Sequence, residues 1–170
     1  MKTNIVLIGM PGCGKSTIGV VLAKNLGYRF IDSDLVIQSR TKRKLSSIIE
    51  KSGLDGFLKI ENEINASIRA RKSVIATGGS AVYGKEAMEH LKKKGVIVYL
   101  QLPLDEISRR LGDLTARGVA IKEGQTLSDL YEERTPLYRQ YADITVDCLG
   151  KEIRQIVSEI SGICSSHPRL

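Results

Sequence analysis

The residues Gly9-Met10-Pro11-Gly12-Cys13-Gly14-Lys15-Ser16 match the pattern G-x-x-x-x-G-K-[ST] in full. Average residue frequencies would produce that pattern in roughly 0.5% of chains of this length, so the match carries weight before any context is added. Context adds more. Apolar Ile5-Val6-Leu7-Ile8 leads into the glycines, and a helical pattern from Ser16 to Asn25, closed by Gly27, leads out of them. A chain that turns from strand to helix over such a loop offers the backbone N–H groups of Gly12, Cys13, Gly14, Lys15 and Ser16, with the positive end of a helix dipole, to a triphosphate. Lys15 would reach the β- and γ-phosphates, the Ser16 hydroxyl would ligate Mg²⁺, and Thr17 would add a phosphate contact. The side chains of such a loop point away from the phosphates, so Cys13 is not read as a nucleophile. The chemistry implied is that of a nucleotide-binding enzyme handling ATP, with a small-molecule kinase foremost.

Three other groups of residues could take part. Asp32-Ser33-Asp34 follows a second apolar run, which places both carboxylates at a strand's carboxyl end, where a magnesium partner and a substrate contact belong; capping of a helix such as Leu35 to Ser39 is the plainer alternative. Thr77-Gly78-Gly79-Ser80 ends a third run, and adjacent glycines either let backbone approach a ligand or let the chain turn. Arg134, with Pro136 and Tyr138, precedes the last apolar run, and on charge alone reads as a solvated helix end.

These groups need a scaffold. Apolar runs recur at Ile5 to Ile8, Tyr28 to Ile31, Ser73 to Thr77, Val96 to Leu100 and Ile144 to Val146, each read as a buried strand. Helical patterns lie between them, including a long one through Phe57, Ile60, Ile64 and Ile68 and another from Leu127 to Arg139. Strands without polar alternation, separated by amphipathic helices, need covering on both faces, the condition of a parallel sheet in a three-layer α/β domain. At 170 residues, 42% hydrophobic and 26% charged, residues 1–170 suffice for a single such domain. From Leu111 to Thr126 polar and glycine residues dilute the apolar pattern, which reads as a lid or as an ordinary surface loop.

No run approaches the ~20 apolar residues of a membrane span, and no signal-peptide core follows Met1, so a cytoplasmic protein with no membrane partner is expected. The net charge of +7 suits small anions better than nucleic acid, because Lys and Arg are scattered and aromatic residues make up only 5%. Lys92-Lys93-Lys94 is the one compact basic run and reads as a solvated helix end. Cys13, Cys148 and Cys164 are odd in number and far apart, and fit a reducing compartment. His90 and His167 lack metal-ligand neighbours and read as surface residues.

Taken together the pieces resemble the shikimate kinase family: the phosphate loop, Asp-x-Asp at Asp32 and Asp34, Phe-x-x-x-Glu at Phe57 and Glu61, Gly78-Gly79, a lid arginine, and Arg-x-Pro-Leu-Tyr at Arg134 to Tyr138. The resemblance covers nearly the whole chain. It implies a P-loop fold with a five-stranded parallel sheet in the order 2-3-1-4-5, a lid at about 111–126 and an acceptor-binding region at about 33–61. It also implies ATP-dependent phosphorylation of the 3-hydroxyl of shikimate, and a monomer is expected. By the same resemblance Asp32 holds magnesium-bound water, Asp34 accepts a hydrogen bond from the reacting hydroxyl, and Gly78 and Gly79 line the substrate pocket. Arg117 closes over the phosphates, Arg110 stacks on adenine, and Arg134 pairs with the substrate carboxylate.

Three parts of the sequence depart from the family pattern. Leu58 stands where an arginine usually follows the phenylalanine, Ser80 where a third glycine usually stands, and Arg117-Gly118-Val119-Ala120 where the lid usually reads Arg-Pro-Leu-Leu. Lys59 points about 100° away on a helix and lacks a planar fork, so it does not substitute for an arginine at 58. The alternative expectation is a related kinase acting on a different small hydroxyl compound.

Overall fold

The computed structural model describes residues 2–112 and 119–166. Five strands, β1 (Asn4–Ile8), β2 (Arg29–Asp32), β3 (Ser73–Ala76), β4 (Gly95–Gln101) and β5 (Ile144–Asp147), form one parallel sheet in the order β2-β3-β1-β4-β5. Every residue of β1 and β3 is buried, and so is β4 up to Leu100, because helices cover both faces. The expectation of five buried strands fails at the sheet edges: β2 is exposed at Arg29 and half-buried beyond it, and in β5 only Val146 is buried. An edge strand has a neighbour on one side only, and its apolar run overstates its burial.

Helices α1 (Lys15–Leu26), α2 (Ser33–Thr41), α3 (Leu45–Ala66), α4 (Lys85–Lys94), α5 (Leu104–Leu111), α6 (Leu127–Tyr141) and α7 (Ile153–Ser166) alternate with the strands. The β1-to-β2 crossover runs toward one edge of the sheet and the β3-to-β4 crossover toward the other. Right-handed connections in opposite directions put α1 and α4 on opposite faces. Among the described residues no helix is long and apolar enough to cross a membrane.

Two local features shape the site. Inside α3, Gly53 adopts φ 70° and ψ 175°, which breaks the helix into two segments. The second segment buries Phe57, Glu61 and Asn65, a stripe at i, i+4, i+8 that turns one face inward. Phe57 also joins Ile37, Ile48 and Ala120 in a second apolar cluster, apart from the main core around β1 and β4. His90 is half-buried with Nε2 2.7 Å from the Ile68 carbonyl, so it is not the free surface residue expected; His167 lies outside the described residues.

Leu7 in the central strand has no exposed surface, whereas Leu149 is 54% exposed. Leu7→Ala should lower stability by about 2–5 kcal/mol in urea unfolding, and Leu149→Ala should stay within about 0.5 kcal/mol.

Candidate active site

The phosphate loop connects β1 to α1 through backbone that side-chain-bearing residues rarely adopt: Gly12 has φ 78° and Gly14, the N-cap of α1, φ 95°. No side chain caps this helix, and its first backbone bond runs from Ile18 N–H to the Gly14 carbonyl at 2.9 Å. The N–H groups of Lys15, Ser16 and Thr17 therefore have no acceptor within the helix. These three residues line a cavity of about 530 Å³ at the carboxyl end of the sheet. The Cys13 N–H donates to the Met10 carbonyl at 3.2 Å, so among the predicted phosphate donors it is already engaged within the loop. Its thiol is buried, as expected of a residue facing away from the phosphates. Lys15 Nζ donates to the carbonyls of Gly9 and Met10 at 2.8 Å each, which holds the ammonium against the loop.

Asp32 caps a helix and also reaches the phosphate loop. Its Oδ1 caps α2, accepting from the N–H groups of Asp34 at 3.0 Å and Leu35 at 3.4 Å, and its Oδ2 accepts from the Ser16 hydroxyl at 2.7 Å. The cap fixes the carboxylate, and the second oxygen joins it to the phosphate loop. A hydroxyl and a carboxylate side by side make an all-oxygen donor set suited to Mg²⁺, which takes few protein ligands beside phosphates and water. Asp34, the next residue but one, faces the same cavity. Burial is the main cause that pushes its carboxyl from 3.8 up to about 6; the Asp32 charge adds to the shift and Lys15 opposes it.

β3 delivers the glycines to the same place. Thr77 is anchored to the end of β1, donating to the Leu7 carbonyl through its N–H at 3.2 Å and its hydroxyl at 2.9 Å. Gly78 N–H then donates to Ser33 Oγ at 3.2 Å. A Cβ on Gly78 would lie 2.7 Å from Asp34 Oδ1 and 2.8 Å from Glu61 Oε2, and one on Gly79 would lie 2.7 Å from Pro11 Cδ and 3.0 Å from Arg134 Nη1. A side chain at either position would force these neighbours to shift. The glycines are thus a close approach, beyond what a turn requires.

Arg134 is 1% exposed, against the solvated helix end that its charge alone suggests. Its Nε donates to the Tyr83 hydroxyl at 3.3 Å and its Nη2 to the Ala120 carbonyl at 2.6 Å, and its guanidinium carbon lies 5.3 Å from the Tyr83 ring centroid. Among the described residues it makes no ion pair with a carboxylate. Tyr138, one helical turn on, is fully buried and donates to the Gly79 carbonyl at 2.6 Å.

Lys15, Ser16, Thr17, Gly12, Gly14, Asp34, Gly78, Gly79 and Arg134 therefore line one cavity, with Asp32 at its edge through Ser16. Arg110 is exposed on α5 and donates to Glu106 at 2.7 Å, while its Cβ lies 3.9 Å from where a Cβ on Gly12 would sit, beside the phosphate loop. Arg117 lies outside the described residues, as do the other residues of 113–118 within the polar stretch read as a lid. Phe57 and Leu45 line the cavity, while Leu58 packs against the second apolar cluster. Sequence reasoning assigned no role to Ser33, Tyr83 or Glu61. Glu61 could have been found from its register with Phe57, since a glutamate on the buried stripe of a helix needs a reason to be there.

A strand-loop-helix phosphate site beside a convergent pair of acids, in a parallel sheet of this order, defines a P-loop phosphotransferase. The comparisons specify which. The family model described as shikimate kinase matches residues 11–164. A shikimate kinase of Francisella tularensis subsp. novicida is 40% identical over 93% of this chain and 92% of its own. Among solved structures, the Acinetobacter baumannii shikimate kinase in complex with shikimate has a TM-score of 0.83 at 31% identity, covering 98% of this chain and 94% of that one. The Aquifex aeolicus shikimate kinase has a TM-score of 0.80 at 30% identity, covering 96% of each chain. The chain belongs to the shikimate kinase family, whose members are ATP-dependent phosphotransferases.

Glu61 gives the site a pH signature. Burial is the main cause that pushes its carboxyl from 4.5 up to about 7; Asp34 adds to the shift, while the Ser80 hydrogen bond, Arg134 and Lys15 oppose it. The folded protein keeps this proton to about pH 7, whereas the unfolded chain releases it near 4.5. The stability tied to the group is present below the lower value and lost as pH rises through the upper one. Glu61→Gln, neutral throughout, should gain in melting temperature relative to the parent between ~pH 5 and ~pH 8. An unchanged difference across that range would contradict the shift.

Proposed function

We propose that this protein transfers the γ-phosphoryl group of ATP to the 3-hydroxyl of shikimate. The observation that carries the reading is Arg134: a buried guanidinium on the cavity wall, with no carboxylate partner among the described residues, suits an anionic acceptor. The similarity to shikimate kinases across more than nine-tenths of the chain supports the acceptor over another small hydroxyl compound.

In this reading the orphan N–H groups at the start of α1 and the Lys15 ammonium bind the β- and γ-phosphates. Arg134 pairs with the acceptor's carboxylate through Nη1, and the bare backbone of Gly78 and Gly79 lets the ring lie close. Both orient the 3-hydroxyl in line with the γ-phosphorus. Asp34 accepts a hydrogen bond from that hydroxyl. As its oxygen bonds to the γ-phosphorus and the bond to the β–γ bridging oxygen breaks, Asp34 takes the proton and ADP leaves. Ser16 and Asp32 would hold Mg²⁺, Asp32 through a water, and the ion when bound offsets phosphate charge. The roles of Arg110 at the adenine and Arg117 over the phosphates rest on the resemblance, and the buried, unpaired cysteines suit a cytoplasmic enzyme.

Coupled detection of ADP release should show saturable turnover with shikimate, ATP and Mg²⁺. None at millimolar shikimate, with turnover on gluconate, homoserine or a nucleoside monophosphate instead, would overturn the acceptor. Lys15→Ala should abolish transfer while leaving the far-ultraviolet circular dichroism spectrum unchanged. Arg134→Ala should raise the acceptor KM by roughly 30-fold to several thousand-fold, the range for removing one partner of a desolvated charged contact, with the ATP KM little altered.

A further inference from the structure

Ser80 is 5% exposed, lines the cavity with Asp34 and Arg134, and donates its hydroxyl hydrogen to Glu61 Oε1 at 2.6 Å. Glu61 is itself 2% exposed, and its Oε2 has no hydrogen-bond partner among the described residues. A serine hydroxyl has one hydrogen and two acceptor lone pairs. With the hydrogen committed to a buried carboxylate, the lone pairs are what Ser80 can offer to the cavity.

Position 58 explains why the serine takes this role. Residues 58 and 61 are three apart on the second segment of α3, so a long cationic side chain at 58 would stand within pairing reach of Glu61. Leu58 packs instead against the second apolar cluster and brings no donor, and Ser80 supplies the hydrogen bond across from the β3 turn. The two departures from the family pattern thus form one compensating arrangement around Glu61. A glycine at 80 would remove the donor that Oε1 has here and take this hydroxyl from the cavity wall.

We propose that Ser80 is a specificity-determining residue whose Oγ, oriented by Glu61, accepts a hydrogen bond from an acceptor hydroxyl other than the one facing Asp34. Glu61 is then a positioning residue acting through Ser80. The inference rests on the proposed function, because it takes a polyhydroxylated acceptor held by Arg134 as given. It adds that polar readout of a second hydroxyl comes from a side chain on the β3 turn.

Steady-state kinetics with shikimate and with its 4-deoxy and 5-deoxy analogues test it. Ser80→Ala should raise the shikimate KM by about 3- to 15-fold, the range for one neutral hydrogen bond, with the ATP KM unchanged and kcat altered less than KM. With the analogue lacking the recognised hydroxyl, parent and Ser80→Ala should have the same KM. Ser80→Thr, which keeps the hydroxyl, should restore most of the affinity, and Glu61→Ala combined with Ser80→Ala should add little to either single change. A parent-like shikimate KM in a folded Ser80→Ala protein, or an equal loss on shikimate and both analogues, would overturn the proposal while leaving the function standing. No turnover of shikimate by the parent enzyme would overturn both.

Discussion

The cleft is organised around two residues that have no side chains. Gly78 and Gly79 sit where Asp34, Glu61, Pro11 and Arg134 converge, each with an atom within 3.0 Å of a point that a Cβ would occupy. The backbone there is pinned from three sides. Thr77 ties it to the end of β1, the Ser33 hydroxyl accepts from Gly78, and the Tyr138 hydroxyl donates to the Gly79 carbonyl. Four segments distant in sequence, the phosphate loop and helices α2, α3 and α6, thereby take their positions from one short piece of main chain. That piece extends a strand hydrogen-bonded to β1, so the donor and acceptor sides share a rigid reference. In-line transfer requires such a reference, because a misplacement of about 1 Å costs on the order of 100-fold in rate.

How much of this was legible in the sequence follows the range of the interactions. The phosphate loop could be read because its demands are local: glycines for left-handed backbone, then a lysine and a serine at a helix start. Asp32 and Asp34 were legible for the same reason, since a strand end followed by a helix cap fixes both within three residues. The sheet order came from the resemblance, and alternation of apolar runs with helical patterns supplied only the parallel class. Arg134 on its own looked like a solvated charge. Its burial depends on Tyr83 and Ala120, which lie far away in the chain. Glu61 was visible only as part of a motif, and the hydroxyl that meets it comes from a turn 19 residues away. The edge strands misled in the opposite sense, because an apolar run reports the chemistry of a strand and not how many neighbours cover it.

The division of labour across the cleft follows from the chemistry of each half. In the proposed reaction the donor side meets the phosphates mainly with backbone N–H groups and one ammonium, so recognition there depends on the path of the chain. On the acceptor side the proposed recognition is by side chains, namely Asp34, Arg134 and the Ser80–Glu61 pair. Charges alternate through the interior: Lys15 opposes the raised proton affinity of Asp34, and Arg134 and Lys15 both oppose that of Glu61. Burial outweighs these attractions at both acids and raises the proton affinity of each. A cation added at 58 would shift that balance toward the charged carboxylate, whereas a neutral hydroxyl at 80 satisfies one of its oxygens with no new formal charge. Leu58 and Ser80 together therefore keep a protonatable glutamate beside the cavity, and they do so without altering the phosphate loop.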